Sequence, residues 1–60
     1  MNDTELRQAV NQFREKYGTS ITFIAATSGM SREHLSRWLH NDSYLLSQEL
    51  KVSIRQVIEK

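Results

Sequence analysis

The chain has no cysteine and no proline, and only two of its 60 residues are glycine. Without cysteine it can hold neither a disulfide framework nor a thiolate metal site. Without proline, and with glycine confined to Gly18 and Gly29, little along it resists helix. Charge of one sign is also lacking: 8 Lys and Arg against 7 Asp and Glu leave a formal net charge of +1. Bulk charge therefore cannot draw in a polyanion, and any nucleic-acid binding has to come from where particular cations sit. No apolar run approaches the roughly 20 residues that span a bilayer. The polar, acidic start Asn2-Asp3-Thr4-Glu5 is not a secretory leader. A cytoplasmic location is expected. Asn2-Asp3-Thr4 and Asn41-Asp42-Ser43 match the glycosylation acceptor pattern. With no sign of secretion, both are read as helix-end chemistry.

Sixty residues make one domain, and a domain of this size buries only about 60% of the surface its unfolded chain exposes. The apolar residues fall into four helical stripes. Leu6, Ala9, Val10, Phe13 and Tyr17 recur at steps of three and four over about residues 4–17, with Arg7, Gln8, Asn11, Arg14 and Glu15 on the solvent side. Asn2, Asp3 or Thr4 can cap this segment, and Gly18 can close it. The second segment, about 20–28, follows a cap at Thr19 or Ser20 and buries Ile21, Ile24 and Ala25, flanked by Phe23 and Ala26. The third, about 31–40, starts at Ser31 and buries Leu35, Trp38 and Leu39. Asn41, Asp42 and Ser43 suit a turn, and Tyr44, Leu45 and Leu46 are expected to tuck onto the core. Ser47 caps the last segment, about 47–59, whose stripe is Leu50, Ile54, Val57 and Ile58. Glu49 in its first turn and Lys60 at its end suit the helix dipole. The expectation is an all-α, compact four-helix domain over residues 1–60, with a central helix-turn-helix.

That central unit carries the functional signal. Ala25 stands four residues before Gly29 and is small enough for two helices to cross closely. Gly29 supplies the positive φ of a tight interhelical turn. Met30 and Leu35 flank the Ser31 cap as a hydrophobic staple, which sets the entry angle of the third helix. In a helix-turn-helix the second helix enters the major groove while the first lies across the backbone. The outer side of the third helix has suitable chemistry. Arg32 and Arg37 can each donate two hydrogen bonds to guanine O6 and N7, and Glu33 can accept from cytosine N4. The short hydroxyls of Ser31 and Ser36 permit close approach.

Ile24-Ala25, Ser28-Gly29-Met30-Ser31 and Leu35-Ser36-Arg37-Trp38-Leu39 resemble the helix-turn-helix of the Cro and lambda-repressor family, in particular small phage and plasmid regulators of Gram-positive bacteria. The resemblance is strongest over residues 20–40 and extends to Ile58. It implies a lambda-repressor-like fold and sequence-specific binding of double-stranded DNA, as a transcriptional regulator of repressor type. It places base reading at Ser31, Arg32, Glu33, Ser36 and Arg37. Phosphate contacts fall at Ser20 and Thr22, and at His40 and Asn41. The chain departs from that family in two respects. Its loop 41–46 carries Asp42 and neither glycine nor proline, and residues 1–60 hold no fifth apolar stripe for the helix that often builds the dimer contact, as expected either of a small regulator or of the amino-terminal domain of a longer one.

Each of these residues also has a plainer reading. Glu33 and Arg37 are four apart and can pair with each other, an interaction worth about 0.3–0.5 kcal/mol at a surface. Arg32 has no such partner and is the best single candidate for a base contact. Trp38 is read as core rather than as a stacking platform. His34 and His40, six apart, point to different sides of the helix, so no metal is expected. No cofactor or small-molecule ligand is expected either. No spacing groups a nucleophile with a base and an orienter, so the chain is not read as an enzyme. Val52 lies off the main stripe and is the candidate contact of a homodimer on a two-fold site. The rival function is the same fold used as a protein-interaction module without specific DNA binding, to which the near-neutral charge, Glu33 and Asp42 would fit. RNA binding would want exposed aromatics, for which Tyr44 is the single candidate.

Overall fold

Every helix of the protein begins on a polar side chain that takes over an orphan backbone donor. The computed structural model describes residues 2–59 and forms α1 (Asp3–Tyr17), α2 (Ile21–Ser28), α3 (Arg32–His40) and α4 (Gln48–Ile58). Asn2, Ser20, Ser31 and Ser47 are all extended and accept from the backbone N–H three residues on, at 2.8, 3.1, 3.1 and 3.2 Å. Such a cap contributes about 1 kcal/mol. The observed starts of α2, α3 and α4 are one residue later than expected because the cap itself stays outside the helix. Asn2 and Asn41 both act in helix-end chemistry, since Asn41 Oδ1 accepts from Ser43 N–H at 2.9 Å in the following turn. Among the described residues there is no strand, and no helix is long and apolar enough to cross a membrane. Lys60 and its expected dipole role lie outside the described residues.

Gly18 (φ 64°) and Gly29 (φ 82°) are the only described residues with positive φ. At Gly29 the chain makes both bonds of a Schellman end: Gly29 N–H donates to Ala26 O at 3.2 Å and Met30 N–H to Ala25 O at 2.9 Å. Two residues later Ser31 starts α3. The connection thus needs only Gly29, Met30 and Ser31, with Met30 packed against the core beneath it.

α2 packs on both α3 and α4, and α1 packs on α4. One core lies between them: Leu6, Val10, Ile24, Ala25, Leu35, Trp38, Leu46 and Ile54. The radius of gyration is 10.1 Å, against about 10.4 Å for a compact chain of this length, so the helices close around that core. Trp38 is fully buried, as its place on the α3 stripe requires. Its indole N–H donates to Asp3 Oδ2 at 3.5 Å, and Lys51 Nζ donates to Asp3 Oδ1 at 3.0 Å, tying the start of α1 to α3 and α4.

The structure corrects three burial expectations. Arg7, expected on the solvent side, is only 7% exposed. It lies one residue from Leu6 and three from Val10, on the flank of the α1 stripe, and its flank is covered by the end of α3. Tyr17, expected on that stripe, is 61% exposed. It sits in the last turn of α1, beyond the core, where its ring meets Phe13 at 4.8 Å and Lys16 Nζ at 5.3 Å. Leu45, expected to tuck inward with its neighbours, is 80% exposed while Leu46 is buried and Tyr44 is half-buried. The extended run into the Ser47 cap sends successive side chains to opposite sides.

Ser28 is buried and its hydroxyl has no hydrogen-bond partner. Desolvating an unpaired hydroxyl is unfavourable. Ser28→Ala is therefore expected to raise unfolding stability by about 1 kcal/mol in chemical denaturation; a clear loss would show that the hydroxyl is satisfied. Asp3 supplies a second test. The hydrogen bond from Lys51 and, secondarily, that from Trp38 hold its carboxyl below the usual carboxylate range, against partial desolvation. A depressed folded pKa contributes stability that is present above the unfolded pKa, about 3.9, and lost as pH falls through the folded value. Thermal midpoints of wild type and Asp3→Asn should differ most near neutrality and converge below about pH 4. A gap that stays constant down to pH 3 would contradict this account.

Candidate nucleic-acid interface

The outer side of α3 follows from its stripe. With Leu35 and Trp38 buried and Leu39 half-buried, positions 32, 33, 36, 37 and 40 turn away from the core. Ser31, Arg32, Glu33, Arg37 and His40 are exposed and Ser36 is half-buried. Ser20, Thr22 and Asn41 are exposed as well. The structure therefore brings Ser31, Arg32, Glu33, Ser36 and Arg37 together on one helix. It sets Ser20 and Thr22 at the start of α2, and His40 and Asn41 at the far end of α3.

Hydrogen bonding divides these residues by how much each still has to offer. The Ser31 and Ser20 oxygens already accept from His34 N–H and Phe23 N–H, so each hydroxyl retains its O–H to donate. His40 Nδ1 lies 2.8 Å from Ser36 O. A carbonyl can only accept, so Nδ1 carries the proton in that contact, and Nε2 is the nitrogen left for a partner: an acceptor on the neutral ring, and a donor to a phosphate oxygen when the ring is protonated there as well. Asn41 uses its Oδ1 on Ser43 N–H and keeps its NH₂ to donate. The Glu33–Arg37 pair that the spacing allows is not formed: among the described residues the ion pairs are Arg7–Asp42, Lys51–Asp3 and Arg55–Glu59. Arg32 and Arg37 thus stand in solvent with no carboxylate of the described residues within 4.0 Å.

His34 is not available at this surface in the same way. Its Nδ1 lies 2.6 Å from Tyr44 Oη, and the two rings meet edge to face at 5.3 Å. This contact fastens the loop 41–46 to α3 and occupies the hydroxyl of the one aromatic weighed for RNA stacking.

Sequence reading missed Arg7. Its Nε donates to Trp38 O at 2.6 Å and its Nη2 to Asn41 O at 3.2 Å, with longer contacts to Tyr44 O at 3.4 Å and Asp42 O at 3.5 Å. Its guanidinium carbon stands 4.9 Å from the centroid of the Trp38 ring, in cation–π range. α3 ends at Asn41 with φ −135° and ψ 108°, without the left-handed residue that closes α1 and α2. Arg7 does the work of that residue by satisfying carbonyls that the helix end leaves open. The available signal was the absence of glycine after His40, together with an arginine flanking the α1 stripe. Asp42 Oδ1 lies 3.9 Å from Arg7 Nη1 but is almost fully exposed, so this ion pair adds little.

Comparison of the chain with protein-family models, with curated proteins and with solved structures returned no match.

Proposed function

We propose that this protein binds double-stranded DNA sequence-specifically by laying α3 in the major groove, and that it acts as a transcriptional regulator of repressor type. The observation that carries the reading is the pair Arg32 and Arg37. Both are exposed on one side of a helix whose other side is locked into the core, and neither is neutralised by a carboxylate. Arginine held this way has its planar fork of donors free for a base edge. Glu33, equally unpaired, is available to cytosine. Ser20, Thr22, His40 and Asn41 then serve the backbone on either side, where contacts set register rather than sequence.

A near-neutral chain with few phosphate contacts binds weakly as a monomer. Tight binding calls for two copies on a two-fold site, with half-sites about 34–36 Å apart. Val52, 41% exposed on α4, is the residue proposed for contact between copies.

Selection from a random duplex pool tests base reading. Wild type should recover a defined motif. Arg32→Ala and Arg37→Ala should each lose about 1–3 kcal/mol of discrimination at one position while circular dichroism shows the fold intact. Binding should weaken as salt rises. An unselective pool with a flat salt response would instead favour the protein-interaction module. For the dimer, sedimentation of Val52→Glu should show a shift toward monomer relative to wild type, and an unchanged dimer would exclude that contact.

A further inference from the structure

We infer that Arg7 is a positioning residue for the phosphate-binding edge at the end of α3: from α1, without touching DNA, it holds His40 and Asn41 in place. This inference rests on the DNA-binding reading and extends it to a residue in another helix.

The geometry is specific to the loop that follows α3. The Arg7 guanidinium spans Trp38 O, inside the last turn of α3, and Asn41 O, the first carbonyl after the helix, at 2.6 and 3.2 Å. His40 lies between those two anchors in the chain. The longer contacts to Asp42 O and Tyr44 O extend the hold over the turn in which Tyr44 N–H donates to Asn41 O at 3.0 Å. On the other side, Tyr44 is tied to His34 of α3. A loop with neither glycine nor proline is thus fixed by side chains reaching it from outside. The His40 ring is oriented locally by Ser36 O and the Asn41 amide by Ser43 N–H, and Arg7 fixes the backbone that carries both. A lysine could keep the charge but would present a compact point of donors, which cannot reproduce a planar fork spread over separate carbonyls. The role is one of geometry, and the charge alone does not fulfil it.

The test uses the full chain, a DNA site selected by wild type, and a temperature at which melting curves show every variant folded. Arg7→Lys is expected to weaken binding by about tenfold, the scale of one lost hydrogen bond. The selected motif should be retained, because the base-reading side chains are unchanged. In a chain already carrying His40→Ala and Asn41→Ala, the same substitution should have no further effect, since a positioning residue acts only through what it positions. Wild-type affinity in Arg7→Lys, or a tenfold loss that persists in the His40→Ala/Asn41→Ala background, would overturn the inference while leaving the DNA-binding reading intact. A wild-type chain that selects no site would remove both. If Arg7→Lys does not fold, amide exchange in the wild-type chain decides: the Tyr44 N–H should exchange at least about tenfold more slowly than in an open chain, and free exchange there would show that the loop is not held.

Discussion

The contact between Arg7 and the carbonyls at the end of α3 is the constraint on which the rest of the arrangement depends. A guanidinium removed from water has to find acceptors, and a helix end removed from water has to find donors. Each solves the other's problem. The Nε–H reaches Trp38 O at 2.6 Å while the ring of the same tryptophan lies under the cation. One residue of α1 thereby fastens the end of α3 and the loop that leaves it, although the backbones of α1 and α3 approach each other less than α2 approaches α3 and α4.

Trp38 is the other half of that constraint. Its ring fills the middle of the core, its carbonyl takes Arg7, and its indole N–H points to the Asp3 carboxylate that Lys51 also holds. α1, α3 and α4 meet at this one side chain. In a domain of 60 residues the apolar surface available for burial is small, so a polar network that fastens three helices around one large aromatic gives rigidity that a small apolar core alone cannot supply. The same network leaves the opposite side of α3 uninvolved. Arg32, Glu33 and Arg37 carry no structural duty, which is why they remain free for a partner.

The local rules of the chain were legible, and they held where a residue's behaviour depends on its near neighbours in sequence. The serine caps at Ser20, Ser31 and Ser47, the left-handed glycines, the staple residues around Ser31 and the stripes of α2, α3 and α4 all involve groups within about one helical turn of each other. The candidate interface was legible for the same reason, because the face of α3 that turns outward is set by the face that turns in. Where the reading failed, distance in sequence was the cause. Arg7 and Trp38 are 31 residues apart, and Tyr44 and His34 are joined across a loop. Tyr17 follows the apolar period yet falls past the last helix able to cover it, and Leu45 depends on which way an extended run happens to face.

The sequence by itself determined four helices, their caps, the turn at Gly29 and the row of exposed side chains on α3, since periodicity and capping act within a few residues. Only the tertiary structure decided that an arginine would be interior, and that the loop after α3 would be pinned without a glycine. Those outcomes turn on which distant groups meet once the helices pack, and on the high cost of leaving a buried donor or acceptor without a partner.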